Sequence, residues 1–174
     1  MLSISRGFSL IEAMIAITIA GILLAAGVPS FQSWIQNSQV RATGESVLNG
    51  LQLARAEAAS RNTLVMFTLT ATDWKVEVLA DAPLGVAYQL LQSYSLPPTM
   101  LATPAPLSLT FDGMGKVQPA LTAMQTFDIK NSSACATSST GSGVRCLQVQ
   151  VKAGGAVRMC DPVLSLTKNP QGCV

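Results

Sequence analysis

The chain has 174 residues, of which 49% are hydrophobic and only 11% are charged, and its formal net charge is +2. This length fits one globular domain plus one further element, and the net charge is too small to imply nucleic-acid binding by itself. Since a soluble domain usually carries about 25% charged residues, the deficit indicates a membrane segment or a subunit packed into an assembly.

The N-terminal segment is short and basic, and a long apolar run follows it. Residues 8–28 are apolar except for Ser9, Glu12 and Thr18. As a helix this run would be about 30 Å long, which matches the hydrocarbon core of a bilayer. Pro29 is expected to kink the helix or to mark the point where it leaves the membrane.

Helical periodicity resumes beyond Pro29, and Asn62 is the expected C-terminal stop. Charged pairs one turn apart, Arg41 with Glu45 and Glu57 with Arg61, occupy the outer faces. A single apolar stripe is formed by Val40, Val47, Leu51, Ala54 and Ala58, with Leu48 beside it. A helix over residues 8–61 would be about 80 Å long. No domain of this size needs such a helix, so half of it is expected to belong to a membrane or to a neighbouring subunit.

After Asn62 the sequence changes to short runs rich in β-branched and aromatic residues, separated by turn signals. The predicted strands are residues 63–69, 74–79, 88–96, 107–111, 127–129, 145–151 and 156–160. Turns are predicted at 70–73 and at Gly154-Gly155, an exposed Pro-rich connection at 97–106, and a Ser/Thr-rich loop at 131–143. The tail, residues 161–174, lacks periodicity and is expected to need its own disulfide to stay ordered. The expected fold class is α+β, with a long N-terminal helix packed on a small antiparallel β-rich head.

Four cysteines lie in the last quarter of the chain, and no two have the C-x-x-C spacing of a zinc ribbon or a thioredoxin-like motif. An even number of cysteines in a chain with an export-like N-terminus indicates two disulfides. Three pairings are possible. Cys135–Cys146 and Cys160–Cys173 are favoured, because each closes a loop of about a dozen residues and would contribute ~3 kcal/mol.

Three interpretations of the N-terminus compete: a secretory signal peptide cut at Ala25-Ala26-Gly27, a plain single-pass anchor, and a leader cut between Gly7 and Phe8. Glu12 favours the third. A carboxylate inside an apolar span costs about 2.5–3.5 kcal/mol, and the first two interpretations offer it no partner. A cut after Gly7 creates one, the free amine of Phe8. This amine is one helical turn from Glu12 and can also meet Glu12 of a neighbouring subunit in a filament.

Residues 6–12, RGFSLIE, resemble the class III signal of type IV pilins and type II secretion pseudopilins. The resemblance implies that a prepilin peptidase cuts after Gly7 and methylates the amine of Phe8. It also implies that Glu12 acts in assembly and that Pro29 is the helix-breaking proline of the family.

Two further stretches narrow the resemblance. Residues 51–62, LQLARAEAASRN, followed at once by strands, are similar to the GspH/FimT group of minor pilins, and the tail segments VRMCDP (157–162) and NPQGC (169–173) resemble its FimT/FimU branch. The implied organisation is a prepilin leader at 1–7, a transmembrane part of the helix at 8–28, an amphipathic part at 29–62 and a GspH/FimT-like periplasmic head at 63–174.

The resemblance implies a single-pass inner-membrane protein whose head lies in the periplasm and which reaches the pilus and the cell surface on assembly. The implied partners are other major and minor pilins, the prepilin peptidase, the inner-membrane assembly platform and the membrane itself. By analogy, the expected function is that of a minor type IV pilin, a structural and priming subunit at the pilus tip.

Two alternatives accompany this interpretation, namely a type II secretion pseudopilin of the GspH kind and a DNA-binding minor pilin for natural transformation. Some FimT proteins bind DNA through a Gly-Arg-x-Arg motif. Here the corresponding residues are Gly155-Ala156-Val157-Arg158, so Arg158, helped by Lys168, would have to contact DNA with one arginine fewer. DNA is therefore a less favoured partner.

Catalysis is not expected. The chain has no histidine, which excludes Ser-His-Asp and Cys-His nucleophile activation and removes the commonest metal ligand. The aspartates are scattered near predicted turns, where they bond to the backbone. We therefore expect no catalytic residue, no cofactor and no metal site.

Overall fold

A computed structural model describes residues 9–79, 88–105, 107–131, 135 and 144–173, without the side chains of Pro29, Ser30 and Tyr88. Within these residues the chain forms one helix and ten strands. In chain order they are α1 (Leu10–Arg61), β1 (Leu64–Leu69), β2 (Asp73–Leu79), β3 (Tyr88–Ser95), β4 (Met100–Thr103), β5 (Leu107–Phe111), β6 (Val117–Gln118), β7 (Gln125–Asn131), β8 (Leu147–Val151), β9 (Val157–Ser165) and β10 (Gly172–Cys173). The α+β class is as expected.

The chain divides into two units, Met1–Ile35 and Gln36–Val174, and α1 contributes to both. In the first unit the described residues are helical from Leu10 onwards, and most of their apolar side chains are exposed. Leu10 is 80% exposed and Ile17 is 72% exposed. By length and composition, α1 is the one helix among the described residues that could cross a membrane.

In the second unit, α1 buries the apolar stripe that its periodicity predicts. Val40, Val47, Leu51, Ala54 and Ala58 are each at most 1% exposed. Both predicted ion pairs form on the outer faces, with Arg41 Nε 3.0 Å from Glu45 Oε1 and Arg61 Nε 2.6 Å from Glu57 Oε2. The helix ends as expected, because Asn62 adopts a positive φ of 49° directly after it.

The head contains two five-stranded sheets, ordered β3-β2-β1-β5-β6 and β10-β9-β8-β7-β4. Neighbouring strands pair antiparallel, except that β10 runs parallel to β9. Phe67 of β1 and Phe127 of β7 meet edge to face, with ring centroids 6.2 Å apart, so the two sheets share one core with α1.

A glycine lets α1 approach the first sheet closely. A Cβ on Gly50 would stand 2.9 Å from the rings of Phe67 and Trp74. Beside it, the indole N–H of Trp74 donates a 2.8 Å hydrogen bond to the Ser46 hydroxyl of the helix. Glycine weakens a helix by about 1 kcal/mol relative to alanine, so packing against the two rings explains its place here.

The expectation for residues 97–106 was wrong, because this stretch is more than an exposed connection. It contains β4, which pairs with β7 and buries Met100 and Ala102. The prolines lie at 97, 98, 104 and 106. The four strand residues between them therefore keep the backbone donors that a ladder needs.

The tail has the disulfide that it was expected to need, and it also forms strands that its lack of periodicity did not predict. β9 continues to Ser165, beyond the predicted end at Cys160, and β10 pairs with it. Pro162 is tolerated because the pairing of β9 with β8 ends at Cys160. β6 is likewise a short strand that was not predicted.

Both favoured disulfides form. Cys135 bonds to Cys146, with a Cα–Cα distance of 5.4 Å, and Cys160 bonds to Cys173, at 5.0 Å. Most of the predicted loop at 131–143 lies outside the described residues, apart from Asn131, which ends β7, and Cys135. The predicted turn at Gly154-Gly155 is present, with a hydrogen bond from Gly155 N to the Lys152 carbonyl oxygen.

Candidate assembly surface

The start of α1 is capped by a residue that sequence analysis did not single out. The hydroxyl of Ser9 accepts a 3.3 Å hydrogen bond from the backbone N–H of Glu12, and the Ser9 carbonyl oxygen accepts one from Ala13 N. Ser9 is therefore the N-cap, which satisfies one of the orphan donors of the first turn. The pattern Ser-x-x-Glu, typical of a capping box, would have predicted it.

Glu12 lies in the first turn of the helix and is exposed. The positive end of the helix dipole stabilises an anion there, typically by 0.3–1 kcal/mol. That is smaller than the cost of placing a carboxylate in hydrocarbon, about 2.5–3.5 kcal/mol. The capped helix end therefore leaves Glu12 in need of a further cation wherever lipid or apolar helices surround it.

Three predicted residues cannot be placed fully. Gly7 and Phe8, the cleavage and methylation positions, lie outside the described residues. The helical backbone continues through Pro29, whose side chain is not described, and its role as a kink stays a prediction.

The surface on both sides of Glu12 along α1 consists of exposed apolar side chains. Those at least half exposed along the span are Leu10, Ile11, Met14, Ile15, Ile17, Ile19, Ile22, Leu23, Leu24 and Val28. A contiguous apolar surface of this extent is characteristic of a membrane or protein interface. Small residues lie between them, such as Ala13, Ala16 and Gly21, which let neighbouring helices approach closely.

The predicted DNA contacts occupy different environments. Arg158 of β9 is partly buried, and its Nη2 donates a hydrogen bond to the carbonyl oxygen of Gly172. This contact ties the guanidinium to the tail. Lys168 is exposed in the turn between β9 and β10. Arg158 is thus held by the tail whereas Lys168 is exposed, and their contact with DNA stays a prediction.

A cavity of about 380 Å³ opens on the head, between α1, β8, β9 and the tail. It is lined by Asn37, Val40, Arg41, Arg145, Leu147, Met159, Cys160, Asp161 and Gln171. Its two arginines each face a carboxylate, since Arg41 pairs with Glu45 and Arg145 Nη1 lies 3.4 Å from Asp161 Oδ2. The cavity thus has little net charge to select an anion.

Among the residues that the structure describes, no three His, Cys, Asp or Glu side chains are grouped closely enough to hold a metal ion. The cysteines described there are all in disulfides.

Two family patterns match the sequence. The family described as type II transport protein GspH matches residues 43–155, which span about the last third of α1 and most of the head. The prokaryotic N-terminal methylation motif matches residues 2–28.

The chain is 44% identical over 57 residues to type IV major fimbrial protein FimA of Dichelobacter nodosus. This alignment covers 33% of the chain and 35% of the relative. The chain therefore matches about a third of the length of these curated relatives.

Two kinds of solved structure resemble the fold. The type IV minor pilin FimU of Pseudomonas aeruginosa superposes with a TM-score of 0.57 at 19% identity, covering 81% of this chain and 99% of FimU. The minor pseudopilin EpsH of the Vibrio cholerae type II secretion system gives 0.50 at 17% identity, covering 71% and 98%. At such identities the likeness shows the fold alone.

Proposed function

The chain belongs to the family of type II transport protein GspH, and on that premise we propose that it is a minor type IV pilin that primes fibre assembly and lies near the fibre tip. Membership implies assembly with other pilins or pseudopilins. The observation that carries the proposal is an exposed carboxylate, Glu12, in the first turn of a helix whose apolar surface is also exposed.

The charge of Glu12 explains why the leader should be cleaved before assembly. Cleavage after Gly7 exposes the amine of Phe8, four residues before Glu12 and hence one helical turn away. In low dielectric an amine and a carboxylate attract strongly, and an unpaired carboxylate is costly. Pairing between the Phe8 amine of one subunit and Glu12 of its neighbour therefore favours one axial register.

Assembly moves the apolar helix from lipid into a bundle of helices. Lipid is as apolar as the neighbouring helices, so hydrophobic transfer supplies little driving force for this step. Packing across small residues and the Phe8–Glu12 pair supply the specificity instead. This is why a single carboxylate is expected to control incorporation.

Before assembly the subunit is held in the inner membrane with its head in the periplasm. Two disulfides in the head suit that oxidising compartment. The prepilin peptidase and the inner-membrane assembly platform are the partners proposed at this stage, and other major and minor pilins are the partners in the fibre.

Substitution of Glu12 tests the proposal. In cells that make the fibre, Glu12→Ala should reduce the chain recovered in sheared fibres at least about tenfold, since loss of the pair costs more than about 1.4 kcal/mol. Glu45→Ala is the matched control, because it removes an exposed carboxylate that lies outside the apolar span. Recovery of Glu12→Ala at the wild-type level would contradict the proposal.

The mass of the mature N-terminus tests the cleavage independently. A chain that starts at methylated Phe8 is expected in both variants, because neither substitution alters Gly7 or Phe8. A chain that starts at Val28 would instead indicate removal of an ordinary signal peptide at Ala25-Ala26-Gly27.

The pilus branch is preferred to the secretion branch because the tail segments VRMCDP and NPQGC resemble FimT and FimU. Deletion of the gene should therefore reduce surface pili and leave secretion of folded proteins unchanged. Loss of secretion with normal piliation would assign the chain to a type II secretion system instead.

A further inference from the structure

Two exposed aromatic residues lie just beyond the apolar span, at Phe31 and Trp34. They are three residues apart and therefore on the same side of the helix. Their rings stack, with centroids 5.8 Å apart and planes inclined by 27°. Phe31 is 58% exposed and Trp34 is 65% exposed, so the pair forms an apolar patch that nothing in the described part of the chain covers.

The other tryptophan provides a contrast. Trp74 is 2% exposed, stacks with Tyr94 and donates its indole N–H to Ser46. Its aromatic surface and its polar N–H are both satisfied inside the head. An environment that is apolar on one side and accepts a hydrogen bond on the other would satisfy Trp34 in the same way.

Charge does not determine how deeply the helix sits in a membrane. Residues 13–40 carry no charged side chain. As a helix they would extend about 42 Å, about 12 Å more than the hydrocarbon core of a bilayer. The helix could therefore slide by several residues without burying a charge other than Glu12, unless other side chains fix its position.

We infer that Phe31 and Trp34 form an interfacial anchor that holds the unassembled subunit at a fixed depth, with both rings in the lipid headgroup layer. About 20 residues cross the core, so a span that begins at Leu10 ends near Pro29. Phe31 and Trp34 then lie about 3 Å and about 7.5 Å beyond the core, within the polar layer, which is about 5–7.5 Å thick.

The chemistry of this layer matches the side chain of Trp34. Tryptophan is enriched at membrane interfaces because its ring contacts acyl chains while its N–H bonds to water or to lipid oxygen atoms. A lipid interface is preferred to a second helix as the partner, since the patch continues directly from the exposed apolar span. The inference rests on the proposed function only in requiring membrane insertion before assembly.

Depth-dependent fluorescence quenching tests the anchor. The full-length Trp74→Phe chain, in which Trp34 is the only tryptophan, is reconstituted in vesicles of phosphatidylcholine and phosphatidylglycerol. Brominated lipids then carry the quencher either near the headgroup or near the acyl terminus. We expect quenching about twofold stronger with the shallow bromine than with the deep one, as for an interfacial indole.

The reciprocal variant keeps the test valid if Trp74→Phe perturbs the head. In Trp34→Phe only Trp74 emits, and brominated lipids should not quench it. The difference between wild type and Trp34→Phe then isolates Trp34. Stronger quenching by the deep bromine, or no quenching by either lipid, would overturn the anchor.

Two further outcomes separate the anchor from its alternatives. Quenching that disappears as the protein-to-lipid ratio is raised in the vesicles would mean that a second copy covers the patch, which also overturns the anchor. Flotation of the vesicles tests insertion separately. If the chain floats with the vesicles but the quenching places Trp34 at another depth, only the anchor hypothesis is contradicted. If the chain does not float, it has not inserted, and the membrane step that the proposed function requires is contradicted as well.

Discussion

The backbone of Gly155 lies against the carbonyl oxygen of Gly115, so closely that a Cβ on Gly155 would stand 1.9 Å from that oxygen. Nε of Arg55 donates a 3.1 Å hydrogen bond to the same oxygen. The turn after β5 and the turn after β8 therefore meet beside α1. This contact joins one turn from each sheet to the helix.

Gly155→Ala is expected to destabilise the head by about 2–4 kcal/mol, because a Cβ cannot move away from a backbone oxygen. The positive φ of 78° at Gly155 adds strain for any residue with a side chain. Gly154→Ala is the matched control, since nothing lies within 4 Å of its Cβ. Thermal unfolding of the full chain in detergent, followed by near-UV circular dichroism, measures both. Equal melting temperatures for the two variants would contradict the role given to this contact.

Asp112 should make the stability of the head depend on pH in the acidic range. The backbone N–H of Lys116 lowers the pKa of Asp112 most, followed by the Gln118 amide, and the Met114 N–H adds to the effect. Because the folded-state pKa is the lower one, this stabilisation is present above the unfolded-state pKa, about 3.9. It is lost as the pH falls through the folded-state value.

Asp112→Asn removes the carboxylate and keeps one acceptor oxygen in the turn. We expect the variant to be less stable than wild type near neutral pH, and the difference to shrink as both are acidified below about pH 4. Urea unfolding midpoints across a pH series provide the measurement. A difference that stays constant to low pH would show that the charge of Asp112 does not stabilise the turn.

The Cys160–Cys173 disulfide should stabilise the tail against local unfolding. It closes a separation of 13 residues beside the hydrogen bond from Asp161 N to the Gln171 carbonyl oxygen. Replacing both cysteines with serine removes about 3 kcal/mol of loop-closure stabilisation. Amide hydrogen exchange at Asp161 and Gly172 should accelerate as a result. The control replaces Cys135 and Cys146 with serine and should leave these two amides protected. Unchanged tail protection after the first replacement would contradict the prediction.

Local signals were enough to predict much of this head. The buried stripe from Val40 to Ala58 follows from helical periodicity, and the helix end at Asn62 follows from its tolerance of positive φ. The favoured disulfides follow from short loops. Each of these features depends on residues close together in the sequence, so no knowledge of the tertiary structure was needed.

Features that depend on distant partners were not predicted. β4 has only four residues, and it exists because Met100 pairs with Asn131 of β7. β10 has two residues and needs the neighbouring edge of β9. Gly50 and Arg55 look like ordinary helix positions until Phe67, Trp74 and Gly115 pack against them. Strand pairing and close approach are properties of the folded chain, and a short run of residues does not encode them.

Arg158 offers a direct test of whether the tail is a structural element or a DNA-binding site. Its guanidinium donates to the Gly172 carbonyl oxygen, so Arg158→Ala leaves that buried carbonyl without this donor. Loss of such a charged hydrogen bond should cost about 1–3 kcal/mol of stability. Lys168→Ala is the control, because Lys168 is an exposed cation on the same tail and its loss should leave stability within about 0.5 kcal/mol of wild type.

Fluorescence anisotropy of a short DNA duplex, measured at low salt with the full chain in detergent, provides the second readout. If Arg158 serves the tail, neither substitution changes the affinity for DNA. A DNA-binding site would give the opposite result, since each cation that contacts a phosphate contributes about one unit to the salt slope. Weaker binding in both variants, with a smaller slope, would therefore contradict the structural role of Arg158. It would instead favour a receptor for DNA.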